Sequence, residues 1–236
     1  MNNIRFMVYN TQHCLNYLKR YIDYPLIAEI INNMDCSFVG LNEIRGEGPE
    51  EGYDDQTAIL SSLTNMPYSC FGEAIKMKGN LPYGNAFISK LPIVKAEVIP
   101  VPDPEVKNEG GYYETRCLIK VKLECGLTIL VIHFGLNPSE RRNAVATVLE
   151  NLEDEKCILM GDFNSEPDDP IIAPFKEKLF DTSELFDEPK LSFPSDKPRI
   201  KIDYIFTTKD LKVNFADIPA IVGADHRPYV AEITLP

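Results

Sequence analysis

Short apolar runs recur along the chain at Ile4–Tyr9, Phe38–Leu41, Ala86–Ile88, Cys117–Leu123, Leu127–His133, Cys157–Met160, Ile202–Thr207 and Tyr229–Ile233. Several alternate with period two, as in Arg5, Met7 and Tyr9 against Phe6 and Val8, which predicts half-buried strands. Others are continuous, as strands covered on both faces are. Three intervening segments carry helical period instead. Pro25–Met34 places Leu26, Ile27, Ile30 and Ile31 on one face, and Gln56–Asn65 does the same with Ile59, Leu60 and Leu63. The third runs from Pro138 to about Asn151, with Asn137 as N-cap, Pro138 as first helical residue and Val145, Val148, Leu149 and Leu152 as the apolar stripe. Gly46–Asp55, Pro100–Tyr113 and Leu191–Arg199 read as loops. No linker of low complexity interrupts the chain and no repeat of about 20–50 residues is present. Strands and helices therefore mix in one domain over residues 1–236, with two sheets or one large sheet flanked by helices.

The polar residues at the ends of these strands form the second pattern. Asn10 closes the first strand, Asn42-Glu43 close FVGLNE, and His133 closes LTILVIH. Asp162 and Asn164 follow CILMG, Asp203 opens IDYIFT, and Asp225-His226 precede the last strand. Singly, each has a plain reading: Asp and Asn start turns by hydrogen-bonding nearby backbone, and a lone histidine or glutamate satisfies a rim or a loop. Together they are chemically coherent. Two of the three histidines sit at these positions, beside carboxylates and carboxamides that suit a hard divalent cation such as Mg²⁺, while histidines can hydrogen-bond a phosphate or exchange protons. Strand ends are also where a rigid sheet aims distant residues into one cleft.

Composition narrows the classes. The 236 residues suffice for a sizeable core, and no apolar run approaches the ~20 residues of a membrane-spanning helix, so no stable membrane insertion is expected. The N-terminal MNNIRFMVYN reads as a first strand and not as a secretion signal. Six scattered cysteines without a C-x-x-C pair read as free thiols in a reducing cytoplasm, and their spacing does not suit a thiolate zinc site. The formal net charge of -12, with no long Lys/Arg run, argues against a protein that lives by gripping a nucleic-acid backbone.

The ordered set FMVYN, FVGLNEI, YGNAFISKLPI, ETRCLI, VIHFG, MGDFNSEP, IDYIFT and ADHRP resembles the endonuclease/exonuclease/phosphatase family, from Asn10 to Ile233. That family includes deoxyribonuclease I-like nucleases, AP endonucleases, neutral sphingomyelinases, inositol polyphosphate 5-phosphatases and deadenylases. GDFN alone is a modest signal. With an upstream N-E pair, a strand-end histidine and a terminal D-H, all in order, it becomes a specific one. The resemblance implies a single α/β domain, a four-layer α/β/β/α sandwich of two packed mixed sheets with the cleft where strand ends of both sheets meet. It implies Glu43 as the main Mg²⁺ ligand (Mn²⁺ being the alternative), with Asn10 beside it and Asp225 supporting the metal shell. Asp162 would position or deprotonate the attacking water, and Asn164 would hold that water or the phosphate. His226, paired with Asp203, would contact the phosphate, and His133 would be a second histidine on the phosphate side. The family leaves open whether Asp162 or the His226–Asp203 pair is the base. Asn85 would help hold the phosphate. Arg116 would either reach the phosphate or hold Glu114 as scaffolding, and His13, which follows Asn10 closely, would either lie on the cleft rim or be a plain surface histidine.

Within the family the chain departs from the AP-endonuclease pattern. It has no Trp, IKIDYIFT replaces the Trp-containing strand, and GDFNSEP replaces the GDFNVA-type segment. It has no room for sphingomyelinase-type membrane insertions. GEGPEEGYDD, the loop that follows Glu43, carries five acidic side chains and no basic one, and should border the cleft. The expected activity is thus metal-dependent hydrolysis of a small or short phosphodiester or phosphomonoester by direct attack of water. The alternatives are a DNA or RNA nuclease of the same family and a non-catalytic binding module on the same fold.

Overall fold

The computed structural model describes residues 3–78 and 80–235; the first two residues of the MNNIRF segment lie outside them. Two six-stranded mixed sheets pack face to face. The first is built from β1 (Asn3–Asn10), β2 (Phe38–Arg45), β3 (Tyr68–Met77), β4 (Leu81–Ser89), β11 (Lys212–Asp217) and β12 (Tyr229–Thr234) in the order β11-β12-β1-β2-β4-β3. The second is built from β5 (Ile93–Pro100), β6 (Cys117–Leu123), β7 (Thr128–His133), β8 (Cys157–Asp162), β9 (Phe180–Asp181) and β10 (Asp203–Thr207) in the order β5-β6-β7-β8-β10-β9. Each sheet holds one parallel pair at its centre, β1 with β2 and β7 with β8, and every other pairing is antiparallel.

A parallel pair needs a crossover, and helices supply it. α1 (Tyr24–Asn33) joins β1 to β2, and α3 (Pro138–Asn151) joins β7 to β8. The sequence starts them where expected. Asp23 caps α1 by accepting from the Leu26 N–H at 3.2 Å, and Glu140 reaches back from α3 to the Asn137 N–H at 3.0 Å. α2 (Gln56–Thr64) and α4 (Ala173–Lys178) complete the outer layers. Three cores follow. Phe6, Phe38, Phe87, Ile129, Met160 and their neighbours fill the space between the sheets. Ile27, Ile31 and Leu60 pack α1 and α2 onto the outer face of the first sheet, and Val145, Val148 and Phe175 pack α3 and α4 onto the second. The four-layer α/β/β/α sandwich is therefore what forms, as one domain over the described residues.

The hydrophobic pattern located eight of the twelve strands among the described residues. The four it did not locate, β3, β5, β9 and β11, are the four outer strands of the two sheets. An edge strand pairs on one side only and buries little, so its residues need no strict apolar alternation; in β5, Val94 and Val98 are both exposed. Leu63, expected on the inner face of α2, also points outward.

Lys201, just before β10, is an unusual constituent of this interior. Its Nζ is buried without a hydrogen-bond partner among the described residues and lies 3.3 Å from the centroid of the Tyr204 ring. Burial pulls its pKa from 10.5 down to about 8, against the opposing charges of Asp181 and Asp203 and with a small further push from Lys176. An unfolded chain binds more protons than the folded one between those two values, so this lysine makes stability rise with pH across that window and costs on the order of 3 kcal/mol below it. The ring returns part of that, about 0.5–2 kcal/mol. Lys201→Met is expected to raise the urea midpoint near pH 7 and to flatten the rise towards pH 10; a variant that unfolds earlier at both pH values would contradict this account.

Candidate active site

The two parallel pairs end side by side. Asn10 is level with Asn42, His133 with Asp162, and Asp162 with Asp203 on the antiparallel neighbour. Gly161 makes the last step of β8 possible, since a Cβ there would lie 1.8 Å from the Ile132 carbonyl oxygen. Asn42 fastens the junction across the sheets. Its Oδ1 accepts from the Asp162 backbone N–H at 3.0 Å, while its Nδ2 donates to Asn85 Oδ1 at 2.7 Å and to the Ile132 carbonyl at 3.1 Å.

Glu43 follows in a bulge, where the pairing of β2 with β4 slips between Leu41 and Ile44. Its φ of +59° is left-handed, a strain on the order of 1 kcal/mol that a tightly paired bulge can hold. The bulge turns the carboxylate so that Oε1 accepts from Asn10 Nδ2 at 2.9 Å and Oε2 from the Tyr83 hydroxyl at 2.9 Å.

Asp162 is the hub. Its Oδ1 accepts from the Asn164 N–H at 2.9 Å, forming the turn that the sequence suggests. Its Oδ2 accepts from Asn10 Nδ2 at 3.0 Å and lies 3.5 Å from Nε2 of both His133 and His226. Burial pushes this carboxyl up to about 7; the His226 charge opposes and the Asp203 charge adds to the rise. His226 moves further. Burial pulls it down, but Asp203, 2.8 Å from its Nδ1, and then Asp162 raise it to about 10, so at neutral pH the ring is an imidazolium. The Asp203 backbone N–H is in turn held by Ser192 Oγ at 3.3 Å, and the Phe193 ring lies 4.8 Å from the imidazole.

His133 behaves oppositely. Burial, the Arg116 charge and the His226 charge hold its pKa well below 6.5, so it is neutral. Arg116 Nη1 lies 3.1 Å from His133 Nδ1, and a guanidinium can only donate. Nδ1 is thus the acceptor, and the ring proton belongs on Nε2, facing Asp162. The same Nη1 pairs with Glu114, so Arg116 holds Glu114 and meets His133 through Nδ1. Asn164, at φ +47°, donates from Nδ2 to the Phe134 carbonyl at 2.9 Å and stands 3.2 Å from His133 Nε2.

Asp225 lies among the same charges. Burial raises it to about 6, opposed by His226 and assisted by Glu43 and Asp203, and its Oδ1 is buried without a partner among the described residues, as is Asp203 Oδ1. Asn85 sits deeper, with its oxygen taken by Asn42 and one N–H donated to the Cys117 carbonyl at 2.9 Å. Asp162, Asp203 and His226 form a compact buried trio whose ligand atoms all lie within 4.8 Å of one another. With Asp203 and Asp162 raising it, the His226 ring donates within this trio and, while protonated, has no lone pair for a cation. Glu43, with a free lone pair on each oxygen, and the orphaned oxygen of Asp225 are hard donors of the type a divalent cation takes.

Sequence reasoning gave no role to Asn42, Tyr83 or Ser192. Tyr83 was within reach, two residues before Asn85 on one strand face; Asn42 and Ser192 act through contacts between distant segments that no local pattern encodes.

The model of the endonuclease/exonuclease/phosphatase family matches residues 7–226. The chain belongs to that family. Phosphoester hydrolysis is the activity of the family, and a divalent metal is typical of it, so the chain is a phosphoester hydrolase. Solved structures agree in fold. The endonuclease/exonuclease/phosphatase from Beutenbergia cavernae DSM 12333 is similar at 22% identity and a TM-score of 0.79, over 100% of this chain and 72% of that one. A mannosyl-6-phosphatase from Bacteroides thetaiotaomicron VPI-5482 is similar at 18% identity and a TM-score of 0.75, over 98% and 100%. The human Nocturnin catalytic domain is similar at 19% identity and a TM-score of 0.73, over 98% and 94%. No curated protein sequence matches the chain. Among the described residues no helix is long and apolar enough to cross a membrane.

If Asn42 is the fastening described, Asn42→Ala strands three buried groups: the Asp162 N–H, the Ile132 carbonyl and Asn85 Oδ1. The expected loss is about 2–4 kcal/mol in a denaturant titration, because buried groups left unpaired cost about 1–3 kcal/mol each and some relax. An unchanged midpoint would show that the junction does not depend on it.

Proposed function

We propose that this chain hydrolyses a small phosphoester by direct attack of water, with Asp162 as the base. The observation that carries this is Asp162 Oδ2, held between Asn10 and the Nε2 atoms of both histidines. His226 already carries its proton at neutral pH, so it has no lone pair with which to take another. Asp162, pushed up to about 7, is matched to receive one from water. His226 then presents an Nε2–H and a positive charge to the non-bridging oxygens, with Asp203 fixing its ring. Neutral His133 offers a second N–H in the orientation that Arg116 imposes, and Asn164 Nδ2 lies beside it. Glu43, Asn10 and Asp225 would hold the cation, their oxygens suiting Mg²⁺ with Mn²⁺ as alternative. When bound, such a cation neutralises phosphate charge and polarises the ester. Asn85 supports the centre from behind, through Asn42. Water supplies the hydroxyl that ends on phosphorus and the alcohol leaves with a proton, so no covalent intermediate is needed.

The net charge of -12 and the acidic loop after Glu43 support a small substrate over a long polyanion. Six free cysteines support a reducing, cytoplasmic setting. The test is a panel of an aryl monoester, an aryl diester, a tailed DNA and a phosphocholine lipid, each with and without Mg²⁺ or Mn²⁺. Metal-dependent turnover of the small esters is expected, falling about 10²–10⁴-fold in His226→Ala. Absence of any metal-dependent turnover would leave a binding module; dominant cleavage of the DNA would make the protein a nuclease.

A further inference from the structure

The catalytic residues do not account for the cavity beside them. It has a volume of ≈ 370 Å³, and its charged and aromatic lining is His13, Arg45, Glu50, Glu51, Tyr53, Lys78, Tyr83 and Glu114. Two of its walls belong also to the catalytic centre. Tyr83 donates to Glu43, and Glu114 pairs with the arginine that orients His133. Whatever alcohol is esterified to a phosphate at Asp162 has this space within reach.

The lining is held in place. The Tyr53 hydroxyl donates to the Pro82 carbonyl at 2.8 Å, and the loop closes on itself through the Gly48 N–H to the Tyr53 carbonyl at 3.2 Å. The His13 N–H donates to the Glu43 carbonyl at 2.7 Å, and Gln56 Nε2 donates to the His13 carbonyl at 2.8 Å. Burial, with the Arg45 charge adding, lowers His13 to about 4, so its ring is neutral. The Arg45 guanidinium lies 4.9 Å from the Tyr53 ring centroid and, among the described residues, makes no ion pair or side-chain hydrogen bond. It is a cation with five free donors, pre-oriented by an aromatic face.

This chemistry selects. Carboxylates accept from hydroxyl groups, a planar guanidinium donates to neighbouring oxygens, and the Tyr83 and His13 rings, 6.3 Å apart, offer faces to C–H surfaces. Glu50 and Glu51 offset Arg45 and Lys78, and Glu114 is paired with Arg116, so the lining has no net positive charge to draw a second phosphate or a nucleic-acid backbone. The volume stands at the low end of the ~300–1,000 Å³ usual for small-ligand sites, which is room for one sugar ring and not a chain of them. Resting on the hydrolase reading above, we propose that this cavity is the alcohol subsite and that the substrate is a phosphate monoester of a sugar or similar polyol, with Arg45 and the Tyr53 loop as its specificity determinants.

The experiment compares a hexose 6-phosphate, p-nitrophenyl phosphate and a trinucleotide with the wild type, Arg45→Gln and Tyr53→Leu, in Mg²⁺. The wild type should give the highest kcat/KM on the sugar phosphate. Arg45→Gln should lower the ratio of sugar-phosphate to aryl-phosphate kcat/KM at least tenfold, mainly through KM, the size expected for losing one or two charged hydrogen bonds to hydroxyls. Tyr53→Leu should move the ratio the same way. Equal losses on both substrates, or a wild type that prefers the trinucleotide, would overturn the subsite. Failure of the hydrolase reading shows differently, as no turnover of any ester. The subsite is then read by calorimetry of hexose 6-phosphate binding to the wild type and Arg45→Gln: binding weakened at least tenfold in the variant supports it, and equal or absent binding overturns it.

Discussion

The structure turns on one buried carboxylate. Asp162 lies where the C-terminal ends of two parallel strand pairs, one from each sheet, are brought together, and its two oxygens meet Asn10, Asn164, His133 and His226. A carboxylate in that setting is tolerable only when every direction around it is answered by a donor or a positive charge. The chain meets this demand from both sheets, and the requirement fixes how the sheets can sit. Asn42, bonded at once to β8, to β7 and to Asn85, is the side chain that converts an approximate packing of apolar faces into a defined junction.

The same junction separates the two histidines chemically. Both imidazoles point Nε2 at the same oxygen from 3.5 Å. His226 has an aspartate behind it and is held charged; His133 has an arginine behind it and is held neutral. Burial acts on both rings, and the partner on the far ring nitrogen tips each one its own way, which is how two histidines come to hold different protonation states a few ångströms apart. On the other side of Asp162 the bulge at Glu43 gives up regular pairing to turn a carboxylate toward the cleft. Tyr83 and Glu114 link that region to the cavity that we assign to the alcohol.

Legibility in the sequence followed burial. Inner strands, covered on both faces, were visible as apolar runs; β3, β5, β9 and β11, each at a sheet edge, were not, because an edge can be half polar without penalty. Helix α3 was bounded correctly because its cap, its proline and its stripe are local signals. Among the site residues, those at strand ends stood out as polar letters after apolar runs. Ser192 did not, because its part is to accept backbone N–H groups from Ile202 and Asp203, residues that reach it through a loop.

The sequence by itself determined the alternation of strands and helices, the polar set Asn10, Glu43, His133, Asp162, Asn164, Asp203 and His226, and through their order the family. Periodicity and motif order are properties of the chain and survive without coordinates. Only the tertiary structure decided that Arg116 orients His133, that Asn85 braces Asn42, and that Arg45, without an ion pair among the described residues, lines a cavity next to Tyr83. Charge state, tautomer and cavity shape arise from what lies within a few ångströms, and those neighbours come from segments tens to hundreds of residues apart.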